Sequence, residues 1–384
     1  MIALILTWAM AAGIDPTALN ALVKRAGELD TDALVVMKDG KVVLEKWFDG
    51  KPRKIEAMSV TKSVVALAVG RLITTGKIKS VDQPVADFYP EWRQGRKKLI
   101  TIRHLLTQTT GLQSPPTTEE IYVAPDFVQL ALCAELASDP GTRFSYNNKA
   151  LNLVGGVVQR ASGKRMDVYL KEEVFAPLGI TDFSWTLDGA GNPHGMSGLQ
   201  ILPADLAKLG QLMLDGGQWN GKQILSPEWV KEATSPSEKL AQYGYLWWLL
   251  QSKKVIIDDE ILATWKKGGA DEKFLALMAP LRGKVYTGEE FREALQKALK
   301  GEPNGLMAWV TNVREKGLPE GKVLESQTWG YAGQGWQGQH IVVVPASRLV
   351  VVRMREPSQG NTEEENERFA WLELTQMVRA LAKP

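Results

Sequence analysis

Ser59 and Lys62 stand three residues apart at the head of "SVTKSVVALAVGRLITTG". The chemistry open to such a pair is proton transfer between an amine and a hydroxyl. From Val64 to Ile73 nearly every residue is aliphatic, apart from Gly70 and Arg71, so the segment reads as a helix buried on most sides. Residues three apart on a helix share a face. Burial disfavours the ammonium form of a lysine, which lowers its pKa and lets it act as a base. Such an amine can take the hydroxyl proton of Ser59 while the oxygen attacks a carbonyl. Free N–H groups at the helix start favour negative charge near Ser59. The S-x-x-K spacing alone is a weak signal, and the plainer alternative is an N-cap serine beside a snorkelling lysine. Ser59 is nevertheless the only serine with a lysine at that spacing.

A second group of reactive side chains lies in "PGTRFSYNNKALNLVGGVVQRASG", where Tyr146-Asn147-Asn148 follows a Pro-Gly turn and precedes a helix. A phenol beside an ammonium can donate or accept a proton, and an asparagine can hold the lysine or a substrate amide. Read alone, either asparagine could be a helix cap and Tyr146 a packed aromatic. A third candidate is the late glycine-rich run "TWGYAGQGWQGQHIVVVP", whose Gly333 and Gly335 would permit close backbone approach. His340 opens the strand that follows and could line a pocket. His104 and His194 read as structural or exposed.

These groups must be positioned by a mixed fold. "PTALNALVKRAGEL" has helical spacing, and "ALVVMKDGKVVLEKWF" reads as a β-hairpin turning at Lys38–Lys41. Residues 100–240 are mainly helical in pattern, with "TIRHLLTQTTGL", "APDFVQLALCAELA" and "PADLAKLGQLMLDGG" as helices between Gly and Pro turns. "YGYLWWLL" reads as a strand, "QHIVVVP" and "RLVVVRM" as a hairpin, and a helix is expected near 362–382. Strands at both ends with helices between them predict an α+β fold, one antiparallel sheet flanked by helices with a mostly helical domain inserted. The expected partition is a sheet domain of 16–75 and 328–384, a helical domain of 76–240, and a returning strand over 241–250. Residues 251–327, highly charged and carrying short amphipathic helices, read as a helical insertion that is either a lid or a surface decoration.

Composition excludes several classes. The chain has 384 residues, 44% hydrophobic and 23% charged, which suits a globular protein with a substantial core. A formal net charge of +2 without a long basic block gives no reason to expect nucleic acid or an anionic membrane as partner. Cys133 is the only cysteine, so neither an intrachain disulfide nor a cysteine-based zinc site can form. The three histidines lack ligand spacing. The opening "MIALILTWAMAAG" within residues 1–15 could be a weak export signal, making the protein periplasmic or secreted, or simply a flexible or packed start of a cytoplasmic protein. It is too short to span a membrane, and no other segment qualifies.

Together the motifs resemble the serine β-lactamase and penicillin-binding-protein superfamily, in particular the branch of class C β-lactamases, related esterases and 6-aminohexanoate-dimer hydrolases. Ser59/Lys62 match its S-x-x-K and Tyr146/Asn148 its Y-x-N. "ITIRHLLTQTTGL", "FAPLGITDFSW" and "SGLQILPADLAKLGQLMLDGGQWNGKQILSPEWV" match its scaffold segments, so the likeness covers most of the chain outside 251–327. The third motif departs from it. Tyr331-Ala332-Gly333 stands where β-lactamases resemble K-T-G and many relatives H-x-G, and Gly335, Trp336, Gly338 and Gln339 resemble the esterase and amidase form G-W-x-G-Q. The missing cation puts binding of penicillin-like anions in doubt.

The resemblance implies acyl transfer with Ser59, Lys62 and Tyr146 as catalytic residues and an oxyanion hole from the N–H groups of Ser59 and Trp336. Asn148, Gly333, Gly335 and His340 are the expected substrate contacts, and neither metal nor organic cofactor is needed. The expected partner is a small ester or amide. The alternatives are a β-lactamase or D-amino-acid peptidase, and a sensor or scaffold that is acylated without turnover. No G-x-S-x-G elbow is present, which disfavours a Ser-His-Asp triad. Natural substrate and oligomeric state are not legible in the sequence.

Overall fold

The computed structural model describes residues 13–114, 117–300, 306–314, 316–356 and 370–381. The candidate export signal lies outside the described residues except for its last three positions. The chain forms two compact units, Met1–Leu249 with Gly330–Pro384, and Leu250–Trp329.

In the first unit, Pro16–Glu28 (α1) begins at Asp15, whose carboxylate accepts from Thr17 N at 2.8 Å. Ala33–Lys38 (β1) and Lys41–Trp47 (β2) form the expected hairpin. Its two turn residues, Asp39 and Gly40, have φ of +51° and +75°, the backbone sign that a two-residue turn between right-twisted strands requires. The short strand Ile55–Glu56 (β3) leads through Ala57 and Met58 into Val60–Thr74 (α2), the helix headed by Ser59. Further on come Leu153–Ser162 (α3), Phe183–Trp185 (β4), Leu199–Ile201 (β5), Pro203–Leu214 (α4) and Pro227–Ala233 (α5). Strands Trp248–Ile256 (β6) and Lys322–Gly335 (β7) carry the chain into and out of the second unit. Gln339–Val344 (β8), Leu349–Met354 (β9) and Trp371–Leu381 (α6) complete the first.

The main sheet of this unit runs β2–β1–β9–β8–β7, every pair antiparallel, so chain-distant segments lie side by side as expected. Successive strand side chains point to opposite faces. On one face Ile341, Val343 and Val350 press against Gly210 of α4, and a Cβ there would stand 2.7 Å from Val350. On the other, His340 meets Thr375 of α6. A second, three-stranded sheet, β3–β5–β4, holds the approach to Ser59; the sequence reading had missed it because its strands are only two or three residues long.

Helix α2 is buried almost all round, from Val60 to Gly70 without interruption. It packs on α3, α5 and β8. Gly70 makes the contact with α5 possible, since a Cβ there would lie 2.3 Å from Trp229 Nε1.

Several expected elements are shorter than their patterns. "TIRHLLTQTTGL" is helical only over Ile102–Leu106. Beyond it the Gln108 carbonyl and side chain accept from Ser145 N and Asn147 N, both at 2.8 Å, and Leu112 O accepts from Asn147 Nδ2 at 3.0 Å. These groups brace the Tyr146 segment instead of continuing a helix. "APDFVQLALCAELA" is helical only over Phe127–Cys133, after which Leu136 bridges to Leu112. Within "YGYLWWLL" the strand starts only at Trp248, because Leu246 turns the chain with a φ of +62°.

The second unit has its own core, in which Trp265, Phe274, Phe291 and Trp309 meet edge to face or tilted. Helices Asp259–Lys267, Glu272–Met278 and Gly288–Ala298 supply much of it, Trp265, Phe274 and Phe291 included. Strand Val285–Thr287 pairs with β6, so the insertion read as helical also carries strand structure.

Gly70→Ala tests the packing of α2. Alanine is the better helix former, yet the crowding against Trp229 should dominate and lower stability by about 1–3 kcal/mol, read as a lower urea midpoint with native circular dichroism retained.

Candidate active site

The backbone at Ser59 is shaped before any side chain acts. Ala57 N donates to Leu199 O at 2.8 Å, which ties the turn to β5. Met58 then takes a φ of +46°, a conformation that costs an L-residue about 1 kcal/mol or more and persists only where the surroundings impose it. Val60 N and Thr61 N donate back to Ala57 O and Met58 O, both at 3.0 Å. Ser59 caps nothing with its side chain, so the N-cap alternative is not what the structure shows. Its hydroxyl is left for other partners.

One partner is Lys62. Its Nζ stands 2.6 Å from Ser59 Oγ and donates to the carbonyl oxygen of Met196 at 2.8 Å. The residue is only 2% exposed, so the lysine does not snorkel. Burial lowers its pKa from 10.5 to about 7. Near neutral pH a large fraction of this amine is therefore unprotonated and able to accept a proton from the hydroxyl beside it.

The phenol of Tyr146 also interacts with the Ser59 side chain. Burial pushes it up to about 12, against the smaller opposing effect of Ser59. It is a proton donor at ordinary pH. Its ring lies 5.0 Å from Lys62 Nζ, centroid to nitrogen, and stacks on Trp248 at 6.2 Å and 17°. Asn147 is a structural cap, its Oδ1 accepting from Ala150 N at 2.9 Å. Asn148 opens the short helix Asn148–Leu151 and is half-buried. The role of holding Lys62, one of two foreseen for Asn148, belongs instead to the Met196 carbonyl.

The glycine-rich strand is brought against this turn. A Cβ on Gly333 would stand 2.9 Å from Ser63 Oγ and 3.1 Å from Val60 Cγ1, and one on Gly335 2.7 Å from Ala57 O and 3.0 Å from Met58 Cβ. The open faces of both glycines are thus occupied in large part by the Ser59 turn and helix α2. Trp336 follows at the end of the strand, in the one-turn 3-10 segment Trp336–Gly338, with its side chain 39% exposed. Tyr331 is buried against Trp247 with ring centroids 5.3 Å apart.

His340 requires a correction. Strand alternation turns its side chain away from the face where Ile341 meets Gly333 and α4. Its Nε2 instead stands 3.3 Å from Thr375 Oγ1 of α6, and burial, aided by the Arg353 charge, lowers its pKa to about 3. It is a neutral core residue and not a pocket lining. His104 accepts from Thr101 N through Nδ1 at 3.2 Å, and the His194 ring packs 4.5 Å from Phe127. Among the described residues no cluster of His, Cys, Asp or Glu could hold a metal ion, and no helix is long and apolar enough to cross a membrane.

One group escaped the sequence reading, the Met196 carbonyl. A main-chain acceptor has no residue-type signature. Only Gly195 and Gly198, flanking Met196-Ser197, hint at a backbone brought close to something.

The buried amine has a consequence for stability. Below about pH 7 native and unfolded chains both carry the Lys62 proton, and the native state bears the full penalty of an enclosed ammonium. Between about 7 and 10.5 only the unfolded chain holds that proton, so this contribution makes stability rise with pH, by roughly 5 kcal/mol in all. Lys62→Met should therefore unfold at higher urea than the wild type at pH 6, with the advantage shrinking by pH 9.5. An advantage independent of pH would contradict the lowered pKa.

Comparisons with known proteins agree with this geometry. The chain is 26% identical over 193 residues to "Protein flp" of Staphylococcus aureus, covering 46% of this chain and 39% of that one. It is 32% identical over 157 residues to "Esterase EstB" of Burkholderia gladioli, covering 35% and 40% respectively. The matched region thus spans about two fifths of the length of these relatives. In fold, a putative beta-lactamase from Bacteroides dorei superposes with a TM-score of 0.66 at 18% identity, over 96% of this chain and 99% of the other. The Beta-lactamase family model matches residues 19–376, a span that takes in the Ser59 turn, the Tyr146 segment and the glycine-rich strand alike, and on that match the chain belongs to the beta-lactamase family.

Proposed function

We propose that this protein is a serine hydrolase that forms an acyl-enzyme on uncharged carboxylic esters or small amides, within the esterase and 6-aminohexanoate-dimer hydrolase branch of its family. The observation that carries the reading is the 2.6 Å contact between Ser59 Oγ and a buried Lys62 amine whose pKa lies near neutrality. Neutral Lys62 takes the Ser59 proton as Oγ bonds to the carbonyl carbon and the carbonyl electrons move onto oxygen. The N–H of Ser59 and that of Trp336 hold the oxyanion. Collapse breaks the bond to the leaving alcohol or amine, which receives a proton from the Lys62 ammonium directly or through Tyr146. Water then attacks the acyl carbon, Lys62 takes its proton, and Ser59 regains a proton as the acid leaves.

Tyr146, a phenol at neutral pH, acts as donor and not as base. Asn148 and the backbone at Gly333 and Gly335 bind the substrate. The preference for uncharged substrates rests on Tyr331, an apolar-packed ring at the position where β-lactamases carry a cation for the substrate carboxylate. The likeness to a Burkholderia esterase supports the ester side of the reading.

The test is p-nitrophenol release from a short-chain ester. Sustained turnover is expected, with kcat/KM rising through about pH 7 as Lys62 loses its proton. Ser59→Ala should lose at least about a thousandfold, and Tyr146→Phe about ten- to a hundredfold in kcat with little change in KM. Nitrocefin hydrolysis far above ester hydrolysis would select the β-lactamase reading instead. A single burst near one equivalent would mark an acyl-binding protein, and equal rates in wild type and Ser59→Ala would remove Ser59 from the chemistry.

A further inference from the structure

An amine that is to accept a proton must aim its one lone pair at that proton. Neutral Lys62 has two N–H donors and a single bond about which they rotate. Donation of one of them to Met196 O at 2.8 Å restricts that rotation while Ser59 Oγ stands 2.6 Å away. What holds the Met196 carbonyl therefore bears on the direction of the lone pair. Met196 belongs to an irregular segment and has no strand or helix to fix it.

One buried side chain ties the segment directly beside Met196. Gly195 N donates to Asn152 Oδ1 at 2.9 Å, and Asn152 is 1% exposed. The amide of Asn152 donates to Asn148 O at 3.2 Å and to Lys149 O at 3.5 Å. Packing reinforces the bond, because a Cβ on Gly195 would stand 2.6 Å from Leu151 O. On the far side of Met196, Gly198 N donates to Glu56 Oε1 at 3.0 Å. The helix start that carries Tyr146 and Asn148 is thereby joined to the carbonyl that Lys62 uses.

We propose that Asn152 is a positioning residue for proton transfer: through Gly195 it fixes the Met196 carbonyl that orients the Lys62 amine on Ser59. The proposal deepens the hydrolase reading and rests on it. The titratable groups around Lys62 are Tyr146 from the neighbouring helix start, Glu56 from β3 behind Gly198, and His194 two residues before Met196. Burial alone accounts for the lowered pKa of Lys62, so a change in its titration reports on its enclosure and its hydrogen bonds.

The experiment follows phosphonylation of Ser59 by a fluorophosphonate, read by intact mass against pH, which needs no turnover. In the wild type the rate should rise through about pH 7. Asn152→Leu removes the acceptor for Gly195. Gly195→Ala displaces the same segment by crowding Leu151 and Asn152 and carries the test if the first variant does not fold. Both should slow labelling by about ten- to a hundredfold. Both should also move the rise to lower pH, because the ammonium has lost a hydrogen-bond acceptor. Folded Leu and Ala variants with the wild-type rate, or slower variants whose pH rise has not moved, would overturn the positioning role alone. A wild type labelled no faster than Ser59→Ala would overturn the hydrolase reading and this proposal with it.

Discussion

The rest of the first unit depends on one unfavourable act, the enclosure of the Lys62 amine beside Ser59. An ammonium taken out of water with no carboxylate partner is destabilising, and the chain answers by letting the group lose its proton near neutrality. That answer requires a dry site. Helix α2 is accordingly buried almost all round and walled by α3, α5 and the sheet, and the gap beside Trp229 is closed to the width of a glycine. Stability given up at one residue becomes chemical reactivity at its neighbour, the trade found where active sites are strained or desolvated.

Around this pair the main chain does much of the work. The Met196 carbonyl receives Lys62, the strained turn at Met58 delivers Ser59, and two glycines allow β7 to approach within contact of that turn. These are backbone devices, and they need rigid support to hold within a fraction of an ångström. The support comes from buried asparagines and glutamine. Gln108, Asn147 and Asn152 each bridge two segments that are distant in the chain. Buried amides of this kind are tolerated where they are hydrogen-bonded, as the side-chain oxygens of all three are.

Membership of the beta-lactamase family places the fold and the three-part site in a common frame without choosing the substrate. That choice turns on the third motif. There the Tyr331 ring is buried against Trp247, and the proposed preference for an uncharged ester or amide rests on that packing.

The sequence by itself determined the elements with strong periodicity and the residues whose types carry chemistry. The β1–β2 hairpin, the buried helix α2 and the β8–β9 hairpin were legible because pattern and spacing are local properties, whereas Ser59, Lys62 and Tyr146 stood out together only through the resemblance of their motifs to a family. Tertiary structure alone decided the rest. Whether Lys62 snorkels or is buried depends on what α3, α5 and the sheet place around it. His340 and Ile341 are neighbours in the chain, yet the pleat sends one to α6 and the other towards α4 and Gly333. "TIRHLLTQTTGL" ends its helix early because its backbone is claimed by Ser145 and Asn147, more than thirty residues away. A carbonyl such as that of Met196 is common to every residue type, so only the fold could select it as the acceptor for Lys62.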